Sequence, residues 1–394
     1  MFYPTTMTQP VTANRFTAFD RLRGLIMVVM AIDHASFYIA RVHASEYWST
    51  LPPFYESHGG ASVWWSFVTR WITHLCAPGF FMLMGASMVW LGKARQQQGW
   101  SHARIRKFFI TRGLILLVIQ QLVEDPAWLL GFISSKVPDT LMDRAPGGGY
   151  EAFVPVLVIS ALGVGMIVWS FLIELPSVVV LAVSALALAV SVLMTPLATQ
   201  AATLFPVWQR LLFVPGHTNF IDVVYSFVPW LAPAGLGIVL ARLVYKRPEK
   251  TMWLSVAGSI VLLIMFVVMR SASQGDPHSP LPGFIGFMSL TKYPPSPAFF
   301  SATLGIDLLL LAVFAMTVAT RWLAPLEVFG RSPLFFYLLH LYVFGIASFA
   351  FPNGTSFPVM YAVWAVAIVA MYPACRWYGR FKSSTPSESV WRLL

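Results

Sequence analysis

Long apolar segments, separated by shorter polar ones, dominate the pattern of the chain. A membrane-spanning helix needs about 20 consecutive, mostly apolar residues, and ten segments meet that requirement. They are residues 22–41, 62–92, 108–130, 153–173, 176–195, 220–243, 252–269, 299–320, 332–351 and 357–376. The pattern therefore predicts an all-α, polytopic integral membrane protein with about ten transmembrane helices.

Composition supports the same fold class. Of the 394 residues, 57% are hydrophobic and only 11% are charged, whereas a soluble domain carries about 25% charged residues. Residues 1–20 lack the apolar core of a signal peptide, so we expect the first helix to be retained. We expect a cytoplasmic segment at 1–20, a transmembrane domain at 21–376 and a cytoplasmic tail at 377–394.

The basic residues set the expected topology. The chain has a net charge of +10, but basic residues of membrane proteins concentrate in cytoplasmic loops. With the N-terminus in the cytoplasm, 19 of the 26 Lys and Arg residues lie on the cytoplasmic side, six lie opposite and Arg70 lies within the membrane. We therefore expect both termini in the cytoplasm, a multi-pass location in a cell membrane (the inner membrane of a bacterium), a lipid bilayer as partner and no nucleic acid.

The first span contains an ionisable pair, Asp33 and His34, within "RLRGLIMVVMAIDHASFYIA". Charged side chains are costly at such a depth and usually have a function there. Arg23 precedes His34 by eleven residues, which is about 16 Å of helix rise. Eleven residues are close to three full turns, so both side chains point from one face of the helix. A cation at the inner interface and a deep imidazole on the same face outline a path through the membrane.

The second span offers partners for Asp33. In "RWITHLCAPGFF", Arg70 and His74 are spaced i, i+4 on one helix face, and Pro78 and Gly79 loosen the helix behind them. An ion pair between Asp33 and Arg70 would neutralise two buried charges at once. Two interpretations stay open: a functional site, or a satisfied polar group that only fixes helix packing.

Other candidates have simpler alternative roles. His340, in the ninth span, has either a function or only a hydrogen bond to a carbonyl group. Arg112 either binds a ligand or extends to the inner interface. Cys76 and Cys375 fall in different spans, and no Cys and His cluster is present, so we expect neither a disulfide nor a metal site.

Four segments together resemble a known family. They are "RFTAFDRLRGLIMVVMAIDHASF", "RWITHLCAPGFFMLMGASM", "FFITRGLILL" and "PLEVFGRSPLFFYLLHLYVFG". They are similar to bacterial membrane proteins related to heparan-α-glucosaminide N-acetyltransferase, in the wider group of transmembrane acyltransferases, over about residues 15 to 345. The first helix also resembles the membrane acyltransferase-3 family, whose motif of an Arg, ten residues and a His is matched by Arg23 and His34.

The resemblance implies an enzyme that moves an acyl group from cytoplasmic acyl-CoA, acetyl-CoA being the expected donor, to an acceptor near the outer side. The acceptor would be a sugar hydroxyl or amine or another small molecule. Whether the protein forms a homodimer is left open. The basic inner face suits the anionic head of CoA, and an imidazole that titrates near neutral pH suits general base catalysis. The resulting assignment is catalytic His34 and Asp33, a supporting polar network of Arg70, His74 and His340, and cofactor binding by Arg23, Arg112 and Arg331, with no metal.

Two other functions remain open from the residues alone. Proton-coupled transporters and export factors also place carboxylates and histidines deep in the membrane, and Asp33 and His34 would then relay protons. Such transporters commonly contain inverted repeats, and we identify none in this sequence. The third interpretation is a non-catalytic membrane scaffold.

Overall fold

The computed structural model describes residues 12–44, 46–50, 61–137, 154–195, 205–218, 220–317, 320–386, 389 and 391. The helices in these residues are α1 Thr12–Ala35, α2 Ala61–Thr73, α3 Cys76–Gln97, α4 His102–Ile119, α5 Asp125–Ser134, α6 Val158–Leu172, α7 Ser177–Met194, α8 Val207–Leu212, α9 Leu231–Lys246, α10 Thr251–Ser271, α11 Gly283–Met288, α12 Pro297–Met316, α13 Ala324–Arg331, α14 Pro333–Ala347 and α15 Phe357–Ser384. The strands are β1 Val154–Val156, β2 Gly216–His217 and β3 Ile221–Val223. Two predicted segments, 1–20 and the tail at 377–394, lie partly outside the described residues.

Eight helical segments of the described chain are long and apolar enough to cross a membrane. They are Thr17–Ala40, Val63–Gln97, His102–Ser134, Ser177–Met194, Pro248–Ser271, Pro297–Met316, Pro333–Ala350 and Phe357–Ser384. Each of them overlaps one of the ten predicted spans. The prediction of a mostly helical chain with several helices able to cross a membrane is therefore confirmed at this coarser level.

The fourth and sixth predicted spans begin later than their apolar sequences suggest. Helix α6 has 15 residues and α9 has 16, because the segments before them form a small three-stranded sheet. In this sheet β1 pairs in parallel with β3, and β2 pairs antiparallel with β3. The two longer strands are rich in β-branched residues, which favour extended backbone. Hydrophobicity alone does not distinguish such a strand from the first turns of a helix.

Helix α1 lies at the centre of the bundle. It packs against α2, α3, α12, α13, α14 and α15, and its apolar side chains belong to the main hydrophobic core. Helices α7, α10 and α15 lie further out and expose large apolar side chains such as Leu193, Val268 and Val369. Exposed apolar surface of this extent is typical of a face that contacts lipid. We name the two ends of the bundle after α1: the Arg23 end, where α1 begins, and the Asp33 end, where it finishes.

Helices α3 and α9 approach so closely that only glycine fits between them. A Cβ atom on Gly237 would lie 1.9 Å from the Met82 carbonyl oxygen, and one on Gly85 would lie 2.0 Å from the Ala234 carbonyl oxygen. Small residues of this kind let membrane helices pack backbone to backbone. The contact keeps the shorter helix α9 inside the bundle.

Two helices contain a π-helical segment at the Asp33 end. Helix α1 continues as Ser36–Ala40, and Gln120–Glu124 joins α4 to α5. The second segment ends two residues before Pro126, within the predicted third span. Asp125 N–H instead donates to Gln120 O, five residues back, and the helix continues to Ser134. Such wider turns frequently occur at functional sites.

Buried arginines organise the loops at the Asp33 end. Arg270 donates hydrogen bonds to four carbonyl oxygens of residues 278–289. Arg41 donates to the carbonyl oxygens of Gly131, Ser348 and Phe351. These cations therefore stabilise ordered, irregular segments between the helices.

Candidate functional site

Helix α1 carries three of the predicted site residues. Arg23 lies at the Arg23 end, where its guanidinium donates to Asp20 Oδ1 at 3.1 Å, Gly330 O at 3.0 Å and Ser87 Oγ at 2.9 Å. His34 lies eleven residues further along the same unbroken helix and is 7% exposed. Asp33 points about 100° away from His34 around the helix axis, so the two neighbours enter different clusters.

Arg70 lies between two carboxylates. Its Nη1 donates to Asp33 Oδ1 at 2.5 Å, while Nε and Nη2 donate to the two oxygens of Glu46 at 2.9 and 2.8 Å. The predicted ion pair between Asp33 and Arg70 is confirmed, and Glu46 is a second partner that the sequence did not suggest. Thr73 adds a hydroxyl donor to Asp33 Oδ1 at 3.2 Å. We call Asp33, Glu46, Arg70 and His74 the charged cluster.

His74 lies at the break between α2 and α3. Pro78 has no N–H to donate to the carbonyl group of residue 74, so the helix is interrupted there. The interruption turns the imidazole towards Glu46, with 3.1 Å between His74 Nε2 and Glu46 Oε1. Burial alone would raise the pKa of Glu46, but Arg70 and His74 outweigh that effect and hold this pKa well below its ordinary value. Glu46 is therefore ionised at neutral pH.

Two further basic side chains lie beside the charged cluster. His43 Nδ1 is 3.8 Å from Asp33 Oδ1. Burial lowers the pKa of His43 to about 4; Arg70 and Lys292 act in the same direction, and Asp33 opposes them. Lys292 is 3% exposed, and its ammonium group lies 5.1 Å from the centre of the Tyr293 ring. His43 is neutral at pH 7, so the charges here come from Lys292 and the cluster.

His34 and His340 form a second, separate cluster. Nδ1 of His34 lies 2.5 Å from Nε2 of His340, and the two rings are within 15° of parallel. His340 Nδ1 lies 3.0 Å from the Phe336 carbonyl oxygen on its own helix. The structure thus joins two predicted residues that are 306 positions apart. It also shows the carbonyl hydrogen bond that the simpler interpretation of His340 required.

Aromatic side chains enclose the histidine pair. The rings of Trp128 and Tyr337 meet the His34 ring edge to face, with centroid distances of 5.0 and 6.0 Å. Tyr337 donates its hydroxyl to Glu124 Oε1 at 2.5 Å, and Glu124 is fully buried in the π-helical segment. Tyr337 and Glu124 were not predicted. Tyr337 lies three residues before His340, and this i, i+3 spacing could have identified it.

A cavity of about 290 Å³ lies at the Arg23 end of the bundle. Apolar side chains of α1, α3, α4 and α6 form most of its wall. Four basic residues also line it: Arg23, Arg112, Arg331 and Lys382. Tyr337, which contacts His34, is part of the same wall. All three predicted cofactor-binding arginines therefore border one cavity, and Lys382 joins them.

The basic residues of the cavity differ in how fully they are neutralised. Arg331 is 58% exposed and pairs with Asp20 and Glu327. Arg112 Nε is buried and has no hydrogen-bond partner in the described part of the chain. Carboxylates thus compensate only part of the positive charge at the mouth. An anionic ligand would find unused donors there.

The structure therefore arranges the predicted residues in three places. The cavity basic residues lie at the Arg23 end, the histidine pair lies behind Tyr337 of the cavity wall, and the charged cluster lies at the Asp33 end. Across the described ranges, no group of three His, Cys, Asp or Glu side chains could hold a metal ion. No family model and no curated protein matches the chain.

Proposed function

We propose that the chain is an integral-membrane acyltransferase that takes its acyl group from acyl-CoA, with acetyl-CoA as the expected donor. One observation carries the proposal: a cavity bordered by four basic residues has Tyr337 in its wall, and Tyr337 contacts His34. A site of this form suits a ligand with an anionic head and a thin apolar arm. The resemblance of the sequence to transmembrane acyltransferases supports the same reaction class.

The topology in this proposal places both termini, and with them the Arg23 end, in the cytoplasm. The surplus of Lys and Arg on that side supports the orientation. Helices α6 and α9, which pack against α3, α4 and α7, would complete ten spans. Cytoplasmic acyl-CoA would then meet the cavity mouth directly, in a bacterial inner membrane.

The donor would enter with its arm first. Phosphate groups prefer arginine and lysine donors. The head of CoA would therefore bind at the cavity mouth, in contact with Arg112, Arg331 and Lys382. A volume of about 290 Å³ is slightly smaller than most ligand sites, which suits a pantetheine arm better than a whole cofactor. Met27 and Leu83 in the wall would pack on the arm, and the thioester would approach Tyr337.

His34 would act as the general base in a direct transfer. The acceptor, a sugar or another small molecule with a free hydroxyl or amine, would approach from the Asp33 end. It would give its proton to His34 while its oxygen or nitrogen bonds to the thioester carbonyl carbon. The C–S bond then breaks, and the departing sulfur of CoA takes the proton from His34. The charged cluster, including Asp33, would shape the acceptor entrance.

Binding experiments with acetyl-CoA test the donor site. We expect Arg112→Ala to weaken binding to purified protein in micelles, and Arg331→Ala to weaken it less because Arg331 is mostly exposed. Added salt should weaken binding further, as for any exposed charge contact. Arg376→Ala is the matched control, since Arg376 is an exposed cation of α15 that does not line the cavity. Equal effects of all three substitutions would contradict the assignment.

A proton-coupled transporter is the second candidate, and one observation favours it. Asp307 of α12 is fully buried, and neither carboxylate oxygen has a hydrogen-bond partner within the described residues. A carboxyl group in such a place can carry a proton. Cleavage of the acetyl-CoA thioester by the wild-type protein, unchanged in Asp307→Asn, would favour the enzyme. Absence of binding and cleavage, with proton uptake that depends on Asp307, would favour the transporter.

A further inference from the structure

The hydrogen bonds of His340 determine where its proton lies. A carbonyl oxygen only accepts hydrogen bonds, so the 3.0 Å contact between His340 Nδ1 and Phe336 O requires a proton on Nδ1. A neutral imidazole carries one proton on its two nitrogens. Nε2 of neutral His340 is therefore a bare acceptor, and it faces His34.

The short distance between the rings determines the proton of His34. At 2.5 Å two bare nitrogens would repel each other, and two N–H groups would collide, so one proton lies between them. Since Nε2 of His340 is bare, that proton belongs to Nδ1 of His34. Nε2 of His34 is then unprotonated. It makes no hydrogen bond to any residue that the structure describes.

The alternative is a protonated His340 that donates to His34, and the surrounding charges oppose it. Neither ring forms an ion pair with a carboxylate of the described chain. Glu124 already accepts from Tyr337, and Arg70 holds Asp33. Lys292 lies beside the neighbouring cluster and has the same sign as an imidazolium. A buried cation without a partner is strongly disfavoured, so both rings are neutral at rest.

We propose that His340 is a positioning residue that holds His34 in the Nδ1–H form, so that Nε2 of His34 is the nitrogen that accepts the proton. This inference rests on the proposed function for its role in turnover, but the tautomer itself is a property of the resting protein. When Nε2 takes the acceptor's proton, the Nδ1 proton can shift across the 2.5 Å contact to His340. The positive charge is then shared by two rings, and His340 still donates to Phe336 O. The proton returns along the same bond when CoA leaves.

Nitrogen NMR tests the tautomers without any substrate. The protein is labelled with ¹⁵N-histidine and placed in micelles at neutral pH, and two-bond ¹H–¹⁵N correlations identify the protonated nitrogen of each ring. Signals of the pair are assigned by their loss in His34→Gln or in His340→Gln. We expect both rings to carry the proton on Nδ1, in contrast to the Nε2–H form that free histidine favours. A proton on Nε2 of either ring would overturn the inference.

Two substitutions separate positioning from packing. His340→Gln keeps an oxygen acceptor for His34, whereas His340→Phe keeps an aromatic ring and removes the acceptor. We expect His340→Phe to return His34 to the Nε2–H form and to lower kcat for acetyl-CoA cleavage by about 10²–10⁴, with unchanged acetyl-CoA affinity. His340→Gln should keep the Nδ1–H form and most of the rate. Phe344→Leu, beside the same ring, controls for disturbed packing.

The outcomes remain distinguishable from a failure of the proposed function. If the wild-type protein neither binds nor cleaves acetyl-CoA, the enzyme proposal fails while the NMR result still decides the tautomer. If cleavage occurs and His340→Phe matches the wild-type rate, His340 does not position the base. Equal losses in His340→Phe and His340→Gln would also contradict the inference, because the retained acceptor would then have no effect.

Discussion

Removal of Arg70 should destabilise the protein more than removal of either carboxylate that it binds. Arg70 is 5% exposed and contacts Asp33 and Glu46 together, at 2.5, 2.8 and 2.9 Å. Arg70→Met keeps most of the side-chain volume but leaves the buried Glu46 and the partly buried Asp33 without their guanidinium partner. Glu46→Gln and Asp33→Asn each leave Arg70 with one charged partner. The three substitutions therefore remove the same ionic network to different extents.

The expected magnitudes follow from how many charged groups each substitution leaves without an ionic partner. Breaking a buried ion pair by removing one partner costs about 3–5 kcal/mol, and Arg70→Met should reach the upper end because two carboxylates are deprived of their cation. Glu46→Gln weakens an ion pair with two hydrogen bonds to Arg70, whereas Asp33→Asn weakens an ion pair with one. A hydrogen bond to a charged group contributes about 1.5–3 kcal/mol. The free energy of unfolding should therefore fall most in Arg70→Met, less in Glu46→Gln and least in Asp33→Asn.

Unfolding titrations in micelles provide the assay, and a variant without the three charges provides the control. We expect the triple variant Asp33→Asn, Glu46→Gln, Arg70→Met to be more stable than Arg70→Met alone, since it has no unpaired carboxylate in this network. A double-mutant cycle between Asp33→Asn and Arg70→Met should give a coupling of about 1–3 kcal/mol. Additivity of the single effects to within about 0.5 kcal/mol, or a triple variant less stable than Arg70→Met, would refute the reasoning.

Three further predictions test the topology, the packing and the pH response. Reporter fusions after residue 100 should report the cytoplasm and fusions after residue 285 the opposite side; the same signal from both would contradict the topology. Gly237→Ala should lower stability by about 1–3 kcal/mol, since its Cβ would meet a carbonyl oxygen of α3, whereas Gly379→Ala meets nothing and should be neutral or stabilising. The unfolded chain protonates His43 near pH 6.5 and the folded chain only near pH 4, so stability should fall by up to about 3 kcal/mol as pH drops through that window. His43→Gln should remove this contribution to the loss of stability at low pH. A variant with the same dependence of stability on pH as the wild-type protein would contradict the burial of His43.

The sequence predicted the positions of most spans because the requirement for about 20 apolar residues is a local one. The prediction was wrong where the same apolar pattern is compatible with either a helix or a strand. The apolar residues before α6 and α9 form strands β1 and β3, since these segments pair with each other across more than 60 positions of the chain. No local signal indicates such a pairing.

The same distinction applies to the candidate site. The contact between Asp33 and Arg70 could be predicted because each is a buried charge that requires a partner. Glu46 could not, since it comes from a loop whose path is set by tertiary contacts, including those of its carbonyl group with the backbone N–H groups of Lys292 and Tyr293. The meeting of His34 with His340 depends on how α1 packs against α14. Spacing within either helix contains no information about that packing.

Acetyl-CoA cleavage by the wild-type protein and by His34→Gln tests the central claim most directly. Both purified proteins are first shown to be folded and to bind acetyl-CoA, and release of free CoA is then followed with water, glucose and glucosamine as acceptors. Glutamine keeps hydrogen bonding but cannot take a proton. We therefore expect His34→Gln to bind acetyl-CoA normally and to cleave it about 10²–10⁴-fold more slowly than the wild-type protein. A folded His34→Gln protein that cleaves acetyl-CoA at the wild-type rate would contradict the account.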